Sequence, residues 1–264
     1  MPRNADFFNQ WYAQMGRSAR RDQIARRALG LPSDLDASGV LPWAALAEIA
    51  AALNLAPGQL LVDLGCGRGG YGLEIARQTG ARLLGLDFSP VAVAAARDRA
   101  ASGDIAGRAA FCVGDMTAIG VGTGAADAVV CIDTIMFPSA HLDALRDCRR
   151  ILAPGGRLVL TSWESTNLAD ERNSQWARRI NLTRDLAAVG FEQVDVAEKP
   201  AWREAERDLW ESAIRADAAG DPAIEALHEE ASRSLELFDI SRRVCATATA
   251  PATAPATAPA TARG

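Results

Sequence analysis

Apolar and polar positions alternate in blocks through the middle of the chain. Leu60-Leu61-Val62 ends on Asp63, and a second apolar run, Leu83 to Leu86, ends on Asp87. Similar runs near 109–113, 127–132 and 157–163 predict further strands, and stretches of helical spacing near 70–79, 90–102 and 140–152 lie between them. Ser89-Pro90 supplies a capping hydroxyl followed by a proline in the first turn, a strong helix start. A helix over Pro42 to Asn54 precedes the Pro57-Gly58 turn into the first strand. Strands and helices joined in this order by short loops predict a doubly wound, parallel sheet with right-handed crossovers. After the fifth strand the pattern loosens. A helix near 183–189 leads to a strand over Phe191 to Ala197, then to an amphipathic helical segment over 201–240, and Arg242 to Thr247 alternates as a last strand.

The loop after the first strand carries the candidate chemistry. Gly65-Cys66-Gly67-Arg68-Gly69-Gly70 satisfies GxGxxG, and its glycines let a ligand approach the main chain. Ligands of such sheets lie beyond the carboxyl ends of the strands, where Asp63, Asp87, Asp115 and Asp133 all fall. Two nucleoside cofactors compete for this loop. Asp87, 22 positions after Gly65, fits the ribose-binding acid of a dinucleotide site. Asp63, two residues before the first glycine, would face a pyrophosphate and repel it, whereas S-adenosyl-L-methionine presents an ammonium and a sulfonium there. The loop therefore favours S-adenosyl-L-methionine, with Asp87 accepting from the two ribose hydroxyls.

Composition narrows the setting. A hydrophobic share of 49% in 264 residues supports a substantial core. The net charge of −5 speaks against a general nucleic-acid surface. Lys199 is the only lysine, so the arginine count reflects residue usage rather than phosphate affinity. Cysteines 66, 112, 131, 148 and 245 are odd in number and lack metal-ligand spacing, so no metal is expected. The opening MPRNADFF has no apolar signal core and no run of 18 apolar residues occurs, which predicts a protein of the reducing cytoplasm without a membrane partner.

The ordered set of motifs resembles the class I S-adenosylmethionine-dependent methyltransferases of the bacterial small-molecule, natural-product type. The resemblance runs from about Leu41 to Val196. It includes the glycine loop, Val113-Gly114-Asp115-Met116 after the third strand, Asp127 to Asp133 as the fourth, and Arg149 to Leu160 with its Pro154-Gly155-Gly156 turn. It implies a mostly parallel, seven-stranded Rossmann-like methyltransferase fold whose last strand is antiparallel beside the sixth. The implied organisation is an N-terminal helical flap over 1–40, a cofactor-binding core over 41–200, a helical lid over 201–241 and a final core strand over 242–249. The Ala-Thr-Pro repeat over 250–264 is expected to be a disordered tail. Asp115 is implied to meet the adenine amino group. Gly65, Cys66, Gly67, Phe88, Met116, Cys131 and Asp133 join Asp63 and Asp87 as cofactor residues, Asp133 on the methionine moiety.

The acceptor side is less determined. Related enzymes often carry histidines just after strand four, where this chain has Met136-Phe137. His141 and Glu164 are the candidate bases, each with an ordinary alternative as a solvated helix-start histidine and a surface carboxylate. Trp11, Tyr12, Met136, Phe137, Trp163 and Trp176 are candidate acceptor contacts; the alternative for the first two is a solvated basic helix docked by its apolar stripe, and for the other four a core side chain. The reading is methyl transfer to an O, N or C atom of a small organic acceptor in secondary metabolism. Its rivals are an NAD-linked oxidoreductase and a catalytically silent S-adenosylmethionine-binding subunit.

Overall fold

The computed structural model describes residues 5–15, 18–35, 38–174 and 177–252. Three helices, α1 (Ala5–Met15), α2 (Ala19–Leu29) and α3 (Trp43–Leu53), lead into β1 (Leu60–Leu64). The chain then alternates through α4 (Gly70–Thr79), β2 (Arg82–Asp87), α5 (Pro90–Ser102), β3 (Ala109–Val113), β4 (Ala126–Ile132), α6 (His141–Ile151) and β5 (Leu152–Ser165). It ends with α7 (Leu182–Ala188), β6 (Glu192–Glu198), α8 (Pro200–Arg215), α9 (Pro222–Glu236) and β7 (Ser241–Thr249). The strands form one seven-stranded sheet in the order β3-β2-β1-β4-β5-β7-β6. All pairings are parallel except those of β7, which runs antiparallel to both β5 and β6. The strand order reverses between β1 and β4, and that is where such a sheet opens a crevice at its carboxyl edge.

Each sheet face is covered. Apolar residues of β1, β4 and β5 such as Leu61, Val130 and Val159 pack with α3, α4 and α8 on one side. Val62, Val129 and Leu160 pack with α6 and α7 on the other. The period-two alternation of these strands, apolar to both faces, produces the continuous apolar runs seen in the sequence. The Ser89 hydroxyl accepts from Ala92 N, capping α5 as its sequence predicts.

Three boundaries differ from the sequence expectation. β5 begins at Leu152 and runs through Pro154-Gly155-Gly156: Ala126 pairs Leu152 and Ala128 pairs Arg157, so the extra residues bulge out of register with Gly155 at φ +76°. The segment over 201–240 is two helices, broken where Asp221 caps α9 and Pro222 enters its first turn. Ala250, expected to open the tail, is instead buried and exchanges hydrogen bonds with the bulge, Gly155 N to Ala250 O and Ala250 N to Gly156 O; residues 253–264 of the expected tail lie outside the described residues.

Candidate functional site

The glycine loop is tied to the neighbouring strand before any ligand is considered. Gly65 N and Cys66 N both donate to Leu86 O, at 2.8 and 3.0 Å. Gly65 has φ +68°, and a Cβ there would lie 2.6 Å from Thr134 Cγ2, so only glycine lets the corner after β4 close onto the loop. Thr134 Oγ1 donates to Leu64 O at 3.0 Å and fixes that corner against the end of β1.

Two buried carboxylates flank the loop. Asp63 is 3% exposed and has no hydrogen-bonding or ion-paired partner among the described residues. Burial, followed by the charge of Asp87, pushes its carboxyl up to about 7. Asp87, at the end of β2, accepts from Gly67 N and Ser89 N, each at 2.9 Å. Burial raises its carboxyl above the usual range, and the two amides act in the opposite direction. Two acids side by side in low dielectric leave a site that is short of positive charge.

The remaining crevice residues fall around this pair. Phe88 is half-buried beyond Asp87, and the Phe8 ring of α1 stands edge-on to it at 5.3 Å and to Phe137 at 5.2 Å. Tyr12 is buried one turn further along α1, hydrogen-bonded to Ser38, and burial raises its phenol well above the ordinary value. Asn9 and Ser89 join side chains at 2.6 Å, so α1 lies across the N-terminus of α5. Trp11 is half-buried with the Arg21 guanidinium 5.1 Å above its ring. Asp115 is exposed, with Oδ1 accepting from Thr117 N and Oγ1, and Met116 beside it is half-buried. Cys131 is buried with Sγ 2.8 Å from Thr134 Oγ1, and burial pushes its thiol up to about 12.

Asp133 is held more firmly than its strand-end position suggested. It has φ +59°, a conformation that costs an L-residue about 1–2 kcal/mol. Its N–H reaches Thr161 O and Oγ1, Thr161 Oγ1 donates to Asp133 Oδ1 at 2.5 Å, and Val40 N approaches Oδ2 at 3.4 Å. Arg243 Nη2 lies 2.6 Å from the same Oδ1. The carboxylate is therefore engaged by β5 and β7 through Oδ1, while Oδ2, expected from sequence to meet the methionine end of a cofactor, takes only the long approach of Val40 N.

The two candidate bases are engaged as well. Glu164 is 4% exposed; Oε1 accepts from Leu182 N and Oε2 from Arg242 Nη2, both at 2.7 Å. His141, the first residue of α6, is buried with Nε2 3.1 Å from Asp185 Oδ2, and Arg184 donates to Asp185 Oδ1. Both groups tie α7 to the sheet and to α6. This corrects the ordinary alternative for each, since neither side chain is solvated: each oxygen of Glu164 already accepts one hydrogen bond, and Nε2 of His141 is paired with Asp185. Met136 is likewise corrected: it is 3% exposed in the core beneath α6, while Phe137 faces α1. Trp163 donates Nε1–H to Glu206 Oε2 at 2.8 Å. Trp176 lies outside the described residues. Sequence reasoning gave no site role to Thr134, Thr161, Glu206 and Arg243; the polar Thr161 and Arg243 at inward-facing strand positions were the available signal.

A family model described as a methyltransferase domain matches residues 61–156. The chloroplastic tocopherol O-methyltransferase of Arabidopsis thaliana is 31% identical over 122 residues, covering 46% of this chain and 35% of that protein. The chain thus spans about a third of the length of the curated relatives it matches first. Among solved structures, phosphoethanolamine N-methyltransferase 2 of Haemonchus contortus, in complex with S-adenosyl-L-methionine, superposes with a TM-score of 0.66 at 21% identity over 79% of this chain and 53% of that one. Geranyl diphosphate C-methyltransferase from Streptomyces coelicolor A3(2) gives 0.63 at 21% identity over 79% and 76%. At such identities the superpositions establish a shared fold.

Proposed function

We propose that this chain is an S-adenosylmethionine-dependent methyltransferase and that it transfers a methyl group from S-adenosyl-L-methionine to an O, N or C atom of a small organic acceptor, a reading supported by the methyltransferase-domain match over residues 61–156. The observation that carries the reading is the pair of buried acids, Asp63 and Asp87, on either side of the glycine loop with no described cation to neutralise Asp63. A buried carboxylate without a partner is costly, and a cationic ligand at that point offsets the cost. A dinucleotide would add negative charge instead. The residues present therefore fit S-adenosyl-L-methionine, which when bound supplies an electrophilic methyl on a positively charged sulfur.

The chain's own residues bind and orient. Asp63 balances the positive charge of the methionine end, Asp87 accepts from ribose hydroxyls with the lone pairs not taken by Gly67 N and Ser89 N, and the loop from Gly65 through Cys66 to Gly67 presents main chain to the nucleoside. Phe88, Met116 and Cys131 border the crevice, and Asp115 is placed to accept from the adenine amino group. Helix α1 acts as the flap, with Phe8, Trp11 and Tyr12 excluding water. The α8–α9 pair acts as the lid, and Phe137 and Trp163 contact the acceptor. Because Glu164 and His141 are occupied in holding α7, orientation and desolvation supply most of the acceleration, which can reach about 7–11 kcal/mol. Among the described residues no helix is long and apolar enough to cross a membrane. A cytoplasmic setting is part of the proposal, with the five cysteines unpaired.

Calorimetry with S-adenosyl-L-methionine and S-adenosylhomocysteine tests the reading directly, followed by mass spectrometry of candidate acceptors for a gain of one methyl. Failure of the folded protein to bind either nucleoside, or tighter binding of NAD, would overturn it.

A further inference from the structure

Arg243 is the largest fully buried side chain that the proposed chemistry does not use. It stands on β7 opposite Trp163 of β5, with its guanidinium carbon 4.0 Å from the centre of the indole ring. Apart from the 2.6 Å ion-pair approach to Asp133, none of its three side-chain nitrogens makes an aligned hydrogen bond among the described residues. Its charge also acts on Glu206 of α8, the buried carboxylate that accepts from the indoles of Trp163 and Trp210. A buried guanidinium so poorly served by hydrogen bonds is poorly explained as a device for stability.

Its geometry leads toward the glycine loop. Arg243 meets Asp133, the residue in the left-handed conformation at the end of β4. That conformation sets the direction of Thr134, which donates to Leu64 O and fills the space beside Gly65. On its other side Arg243 lies between the sheet and α8, the first helix of the lid. We propose that Arg243 is a positioning residue: by pinning Asp133 it holds the β4 corner that shapes the glycine loop, and it makes that shape depend on the seating of α8. The inference rests on the crevice being the cofactor site. It requires the conformation at residue 133 and does not require the carboxylate to touch the ligand.

Affinity for S-adenosylhomocysteine, measured by calorimetry on the full chain well below the melting temperature, tests this. Arg243→Met is expected to weaken binding by at least tenfold while the circular dichroism spectrum is retained. Two double variants then isolate the conformation. Arg243→Met with Asp133→Gly removes the buried charge and leaves a residue that adopts φ +59° without help. Arg243→Met with Asp133→Ala removes the same charge and leaves a residue that does not. The glycine form should bind at least fivefold more tightly than the alanine form. Where Arg243→Met alone fails to fold, the comparison of the two doubles carries the test. Equal affinities in the doubles, or a folded Arg243→Met with wild-type affinity, would refute the positioning role. Absence of binding by the wild-type chain would instead strike at the cofactor reading itself.

Discussion

Replacing Asp63 with asparagine should stabilise the ligand-free protein above pH 7 and weaken its hold on the methyl donor. Asp63 is buried, and its carboxyl is moved from an ordinary 3.8 to about 7. A displacement of that size corresponds to about 4 kcal/mol at neutral pH and above. The sign follows from where the proton resides. Between about pH 4 and pH 7 the folded chain keeps a proton that the unfolded chain has lost, so this group's contribution is most favourable in acid. It declines as pH rises and is spent once pH passes about 7. Asparagine keeps the shape without the charge, but its amide is buried beside Gly72 with few partners, a cost of about 1–3 kcal/mol. The net gain at pH 8 is then about 1–3 kcal/mol, or roughly 2–8 °C in Tm for a chain of this size. At pH 5, where the native carboxyl is already protonated, the gain should vanish or reverse. Differential scanning fluorimetry of both proteins at pH 5 and pH 8, with and without S-adenosylhomocysteine, gives the four values needed. Equal shifts at the two pH values, or a variant destabilised at pH 8, would show that Asp63 is not a strained buried acid. The same argument expects ligand binding between pH 6 and 7 to release protons, measurable by calorimetry in buffers of different ionisation enthalpy.

Three further outcomes follow from the geometry. Asp87→Ala should lose about 1.5–3 kcal/mol of S-adenosylhomocysteine affinity for each charge-assisted bond removed, and unchanged affinity in a folded variant would remove the proposed ribose site. Glu164→Gln should lower stability by about 1–3 kcal/mol through its bonds to Leu182 and Arg242, yet slow single-turnover methyl transfer by less than about tenfold; a hundredfold loss would make it a base after all. Removing residues 253–264 should leave Tm and nucleoside affinity unchanged because alanine, threonine and proline bury little, whereas a cut that also takes Ala250 should lower Tm by breaking its bonds to Gly155 and Gly156.

What could be read from the sequence was whatever local chemistry determines. Asp63 and Asp87 end apolar runs too short for a buried helix, and the glycines that follow Asp63 mark a strand arriving at a loop, so the crevice was visible in one dimension. The same holds for Ser89-Pro90, where cap and helix lie within four residues. What could not be read depends on partners distant in the chain. Glu164 resembles a free carboxylate at a strand end until α7 brings Leu182 N to one oxygen and β7 brings Arg242 to the other. His141 gains its meaning from Asp185, and Asp133 from Arg243, 110 positions away. The parity of β7 held a clue: Val244 and Ala246 face one side and Cys245 the other, which points Arg243 inward with Cys245. An arginine at an inward position must meet a carboxylate or leave a charge unpaired, and the acids waiting at the strand ends limit the choice. A sequence reading that asks which acid each inward arginine meets would have reached Asp133. It would also have separated acids already paired by the fold, such as Asp133 and Glu164, from Asp63, for which the described residues supply no counter-charge and which the proposed cofactor would serve.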